Sequence, residues 1–178
     1  IAVVFYDMTS LYFEAEDEDD LRKIGYSKDG KFQNPQILLG LLVGEGGLPI
    51  GYDIFEGNTF EGHTLLPVLK KIQAKYGLDK PIVVADAALL SRQNLKSLEE
   101  EHYRFILGGR IKNESEQVKA EILKQARGIE DGGGFVLEKP DNTRLVVTYS
   151  CKRARKDSHN RRKGVKKLEA QVRSGRFT

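Results

Sequence analysis

Two aspartates stand out because each follows a short apolar run. Ala2-Val3-Val4-Phe5-Tyr6 leads into Asp7, then Met8, Thr9 and Ser10, and Pro81-Ile82-Val83-Val84-Ala85 leads into Asp86, Ala87 and Ala88. A β-branched and aromatic run of this kind reads as a buried strand, so each carboxylate falls where its strand leaves the sheet. Neighbouring strands lie about 4.8 Å apart. If these two are parallel neighbours, both carboxylates emerge at one edge and can hold a divalent cation between them. Hard oxygen ligands suit Mg²⁺ or Mn²⁺. Paired ions about 4 Å apart serve phosphoryl transfer, one activating the attacking oxygen and the other stabilising the leaving oxygen. An Asp at a strand end is also an ordinary turn or capping residue, so the pair alone marks a candidate.

The other chemistry-bearing residues carry less. His63 precedes a helix start, His102 ends a helix, and His159 sits among basic residues; no two have metal-ligand spacing. The acidic block Glu14 to Asp20 reads as a solvated loop whose charges repel. Neither Gly46-Gly47 nor Gly132-Gly133-Gly134 leads from a strand into a helix with a Lys, so neither is a phosphate-cradling loop. Cys151 is the only cysteine, which excludes an intramolecular disulfide and a thiolate cluster and fits a reducing compartment. Charge is unevenly spread. Residues 152–176 carry eleven Lys/Arg against Asp157 and Glu169, a surplus of nine, in a chain whose total is only +3. Such a split marks a nucleic-acid-facing segment on an otherwise acidic domain.

The elements that must position these residues follow from periodicity. Gln36–Val43 and Leu48–Phe55 flank a Gly-rich turn and read as a hairpin whose first arm, apolar on both faces, lies centrally. Leu65, Val68, Leu69, Ile72 and Tyr76 recur at helical spacing after Thr64, and Gly77 ends that helix. Ser91 caps a second helix, with Leu90 placed to staple against Leu95. Arg104–Leu107 is a further strand and Ser115–Gln125 a third helix. Phe135–Leu137 and Leu145–Tyr149 flank Pro140-Asp141-Asn142 as a second hairpin, and a last helix runs from about Ser158, with Val165, Leu168 and Val172 on one face. Strand one and the first hairpin form an antiparallel meander. The next strand returns parallel to strand one by a right-handed crossover. The expected fold is therefore α/β: a ribonuclease-H-like mixed sheet of order 3-2-1-4-5, flanked by helices, with Asp7 beside Asp86.

A chain of 178 residues suits one domain with a sizeable core. The first residues already read as mid-domain strand and the last as an uncapped basic helix, so the expectation is a piece of a longer chain. No stretch approaches the length of a transmembrane helix, and no signal peptide is visible.

Several longer stretches add to this. Tyr6-Asp7-Met8-Thr9-Ser10, Gly25-Tyr26-Ser27-Lys28-Asp29, Pro35-Gln36, Gly47-Leu48-Pro49-Ile50-Gly51-Tyr52, Phe55-Glu56-Gly57-Asn58-Thr59, Thr64-Leu65-Leu66-Pro67-Val68-Leu69 and Val84-Ala85-Asp86-Ala87-Ala88-Leu89-Leu90-Ser91 closely resemble the DDE transposases of bacterial insertion sequences, in that family's order and spacing. The resemblance covers roughly residues 3–110, and Tyr149–Arg162 more loosely. It implies a retroviral-integrase-like core and a metal-dependent transposase, cytoplasmic and nucleoid-associated in a bacterium, using Mg²⁺ or Mn²⁺. Such an enzyme cleaves phosphodiester bonds at transposon ends and transfers the strand to target DNA. Its first two catalytic acids and metal ligands map onto Asp7 and Asp86. DNA contacts are expected from Lys28, Lys152, Arg153, Arg155, Lys156, Arg161, Arg162 and Lys166. The partners are DNA and other copies in a synaptic homo-oligomer, with no membrane. The family's third acid is a Glu on a later helix, in many relatives within a Tyr, two residues, Arg, three residues, Glu pattern. At Tyr149 the corresponding positions are Lys152 and Lys156, and Glu169 lacks the pattern's context. The resemblance thus implies a core over 1–131 and the start of a β-rich insertion over 132–178, with the third acid beyond Thr178. A ribonuclease-H-like nuclease that only hydrolyses, or a non-catalytic DNA-binding module, are the alternative readings.

Overall fold

The computed structural model describes residues 2–27, 29–77, 79–87, 89, 91–139 and 143–175, without the Arg92 side chain. The chain divides into two compact units, Ile1–Arg110 and Ile111–Thr178.

The first unit is built on five strands, β1 (Val3–Tyr12), β2 (Gln36–Gly44), β3 (Pro49–Glu56), β4 (Ile82–Ala85) and β5 (Phe105–Leu107), in the order β3-β2-β1-β4-β5. This is the ribonuclease-H-like layout. β1, β2 and β3 form the antiparallel meander, while β1 pairs with β4 and β4 with β5 in parallel. Two helices, α1 (Leu65–Tyr76) and α2 (Arg92–Glu100), join the parallel strands.

Alternation along β1 decides which face is the core. Val4 and Tyr6 are buried, whereas Phe5 and Asp7 are exposed. The core joins Val4, Tyr6, Leu42 and Val83 of the sheet to Leu65, Val68, Leu69 and Ile72 of α1 and Leu98 of α2. Gly77 ends α1 in the left-handed conformation, φ 60°, that its lack of a Cβ permits. The Ser91 hydroxyl accepts from the Asn94 amide at the start of α2. Leu90, the expected staple partner, lies outside the described residues.

The opposite face of the sheet is apolar and open. The register aligns Phe5 with Val43 and Val84, and Val84 with Ile106; it aligns Asp7 with Leu41, and Leu41 with Tyr52. Phe5 keeps 46% of its surface in solvent, Tyr52 62% and Ile106 62%.

The second unit contains α3 (Glu116–Gln125), the hairpin β6 (Gly134–Glu138) and β7 (Arg144–Thr148), and α4 (Cys151–Arg173). The residues expected to make the hairpin turn, Pro140 to Asn142, lie outside the described residues. The last helix begins at Cys151, not near Ser158. Two caps set this start: the Ser150 hydroxyl accepts from the Arg153 amide, and the Asp131 carboxylate accepts from the Cys151 amide at 2.7 Å. Lys152, Arg153, Arg155 and Lys156, which the sequence reads as following a strand, therefore lie on the helix, where Lys, Arg and Ala are good formers.

Candidate active site

β1 and β4 end the parallel ladder at Tyr6↔Ala85. Asp7 is the next residue of β1, and Asp86 follows the last residue of β4. Both are exposed. They are not equally held. Asp7 is inside β1 and still paired to Leu41 of β2, and its Oδ1 accepts from the Met8 amide at 2.9 Å. Asp86 is one residue past its strand, and its carbonyl accepts from the Leu89 amide at 3.4 Å.

Behind Asp7 is a polar clamp that the sequence does not announce. Tyr6 points into the core and its hydroxyl donates to Thr64 Oγ1 at 2.8 Å. The Thr64 hydroxyl donates in turn to the Glu61 carbonyl at 2.7 Å, and Met8 Sδ lies 3.0 Å from the phenol oxygen. Burial pushes the Tyr6 phenol up to about 12; the charges of Asp53, Asp7 and Glu61 add to this and the Thr64 hydrogen bond opposes it. The residues on either side of Asp7 are thus anchored to the start of α1, which fixes its backbone. From sequence, Thr64 reads as a helix start. It holds the N-cap position without a side-chain capping bond, because its hydroxyl is used by Tyr6 and Glu61.

Two hard carboxylates at one sheet edge fit a divalent cation by donor chemistry. Among the described residues no group of three His, Cys, Asp or Glu is placed to hold a metal ion. Of the expected DNA contacts, Lys28 lies outside the described residues. The other seven share α4, a helix of 23 residues and so about 34 Å long. All seven are exposed. Arg153 is paired with Asp157 at 3.4 Å. Helical spacing puts Arg155, Arg162, Lys166 and Arg173 in one row and Lys152, Lys156, Lys163 and Lys167 in the next. Arg161 instead falls in line with Val165, Leu168 and Val172, so it belongs to the apolar side. His63 is an exposed residue in a short 3₁₀ turn, edge-on to Phe60, and His102 follows the end of α2 with φ 56°.

Residues 2–174 match the family model described as the Transposase DDE domain. The chain belongs to this family. Transposases of the family generally work with divalent metal ions. A search of curated protein sequences returns no match. Among solved structures, the domain is similar to the piggyBac transposase in a synaptic complex with hairpin DNA. The TM-score is 0.50 at 16% identity, over 84% of this chain and 30% of that one. The Mos1 transposase in a paired-end complex with its left transposon end gives 0.41 at 13% identity, over 72% of this chain and 48% of that one. The transposase domain thus spans less than half the length of either. The piggyBac likeness supports the fold. Among the described residues, no helix is long and apolar enough to cross a membrane.

Proposed function

We propose that this domain supplies two metal ligands and a DNA-holding helix to a transposase that cuts DNA at transposon ends and joins the freed strand to a target. One observation carries the reading: the parallel ladder of β1 and β4 ends at Tyr6↔Ala85, the residue after each of these is an exposed aspartate, and the chain belongs to the Transposase DDE domain family. Asp7 and Asp86 would hold Mg²⁺ or Mn²⁺. A metal bound there supplies Lewis-acid activation of the phosphoryl group and of the attacking oxygen. The chain's own contribution is positional. The Tyr6–Thr64 clamp would hold the residues on either side of Asp7, and the bond from the Leu89 amide to the Asp86 carbonyl would steady the backbone of the second carboxylate. Two carboxylates leave a divalent ion under-coordinated, so strand transfer needs a further acid, which no cluster of the described residues provides. The basic rows of α4 would contact phosphates, which position DNA without reading its sequence. The piggyBac complex with hairpin DNA agrees with a DNA partner, and its synaptic assembly with a homo-oligomer.

The test is a Mn²⁺ titration followed by calorimetry or electron paramagnetic resonance. Wild-type 1–178 should bind weakly, and Asp7→Asn and Asp86→Asn should each abolish binding while circular dichroism stays unchanged. Binding that survives both substitutions would overturn the assignment.

A further inference from the structure

We infer that Gly108 is a positioning residue for the Asp86 carboxylate, an inference that rests on the reading of Asp86 as a metal ligand. Gly108 follows β5 directly. Its amide donates to the Ala85 carbonyl at 3.0 Å, extending the parallel ladder by one rung beyond Leu107. That rung brings its α-carbon against the peptide joining Asp86 to Ala87. A Cβ built on Gly108 would stand 2.7 Å from the Ala87 nitrogen and 3.2 Å from the Asp86 carbonyl carbon. Ordinary van der Waals contact begins near 3.4 Å, so any side chain here must displace that peptide by about 0.7 Å.

The neighbours are main-chain atoms, not the far end of a flexible side chain. Upstream, Ala85 is held in register by Tyr6 on one side and Leu107 on the other. Downstream, the Leu89 amide donates to the Asp86 carbonyl, and the Leu89 side chain is buried in the core at 2% exposure. The Leu89 carbonyl is bound by the Asn94 side chain at 2.9 Å and by the Ser91 amide at 3.0 Å. Asp86 and Leu89 are therefore each held by backbone hydrogen bonds. β4 lies between β5 and β1, so a push from Gly108 shifts the Asp86–Ala87 peptide relative to Asp7, whose own strand is paired to β2 on its other side. Nothing about Gly108 itself demands glycine for backbone reasons, since its φ is outside the left-handed region; the requirement is space.

Metal sites are sensitive on this scale, and removing an outer support of a ligand commonly costs about tenfold to a hundredfold in metal affinity. The experiment is Mn²⁺ binding by 1–178 carrying Gly108→Ala, beside Asp86→Asn and Gly51→Ala. Gly51→Ala serves as a control for load on the fold, because its Cβ would meet the Ile72 side chain, with Cγ1 at 2.8 Å. The expected result is at least a tenfold loss of Mn²⁺ affinity in Gly108→Ala and no loss in Gly51→Ala, whatever each does to Tm. A second measurement uses the wild type. In an amide spectrum titrated with Mg²⁺, the Gly108 and Ala87 signals should shift together along one saturation curve. If Asp86→Asn abolishes binding while Gly108→Ala keeps full affinity, the inference fails and the metal assignment stands. A Gly108 amide that does not respond to Mg²⁺ likewise overturns it. If Asp86→Asn itself leaves binding intact, it is the assignment that fails.

Discussion

Reversing Arg162 and Lys166 on α4 gives the sharpest test of how DNA would be held. Helical spacing places both in one row with Arg155 and Arg173, and the row extends over about 27 Å. If the row neutralises four phosphates, log affinity should fall against log salt with a slope of about −3.6, since each phosphate contributes about −0.9. Between 50 and 200 mM salt, binding would then weaken by about 150-fold. Arg162→Glu with Lys166→Glu leaves two contacts, a slope of about −1.8, and a fall of about 12-fold over the same range. Arg161→Glu makes an equal charge change on the apolar side of the helix and should leave the slope near the wild-type value. The assay is fluorescence anisotropy with duplexes of two unrelated sequences at several salt concentrations. Both duplexes should respond alike, because phosphate contacts carry no base information. The reasoning fails if the double reversal leaves the slope unchanged, or if Arg161→Glu flattens it equally. In that case the rows on α4 are a solvated face.

Further expectations concern stability and chemistry. Tyr6 should make the domain alkali-sensitive. Its phenol titrates near 12 when folded and near 10 when unfolded, so the unfolded state loses its proton first and stability falls as pH rises from 10 to 12. The loss should total about 2–3 kcal/mol, and urea melts of Tyr6→Phe should lack that component while losing about 1 kcal/mol at neutral pH with the Thr64 hydrogen bond. Ser150→Ala removes the α4 cap and should cost about 1 kcal/mol, read as a lower helical signal on heating; an unchanged melt would mean that Asp131 alone sets the helix start. Purified 1–178, incubated with Mn²⁺ and an oligonucleotide transposon end, should yield no strand-transfer product on a sequencing gel. A robust product would mean that an acid inside the chain, such as Glu169, completes the site.

The sheet order was readable because each strand near the carboxylates is a short apolar run and the crossover rule leaves few arrangements. The same patterns are the ground for proposing Asp7 and Asp86 as a pair. What was not readable depends on partners far away in sequence. The start of α4 is set in part by Asp131, twenty residues before the amide it caps, and no local pattern shows that. Thr64 looks like a helix start, and only the folded chain shows its hydroxyl bound to Tyr6, 58 residues earlier. Gly108 belongs to an unremarkable Leu-Gly-Gly stretch; its importance is the space it leaves beside another strand. Arg161 is as exposed as the other basic residues of α4 but in line with Val165, Leu168 and Val172, and its single reversal asks whether it takes part in holding DNA.

The open sheet face bears on how the site and the stability of the molecule are coupled. Asp7 stands among Phe5, Leu41 and Tyr52 on that face, so whatever comes to bury these side chains must pass directly over the carboxylate. Covering Phe5, Leu11, Tyr52, Ile54 and Ile106, each about half exposed, would gain about 1 kcal/mol apiece, or about 5 kcal/mol together. That gain is comparable to the whole stability of a small domain. Forming a water-poor surround for Asp7 and completing the hydrophobic core would then be a single cooperative event. Substitutions that make this face more polar should raise the solubility of 1–178, read as a higher concentration at the onset of light scattering. Left uncovered, the same surface is a patch of the kind that drives association between copies.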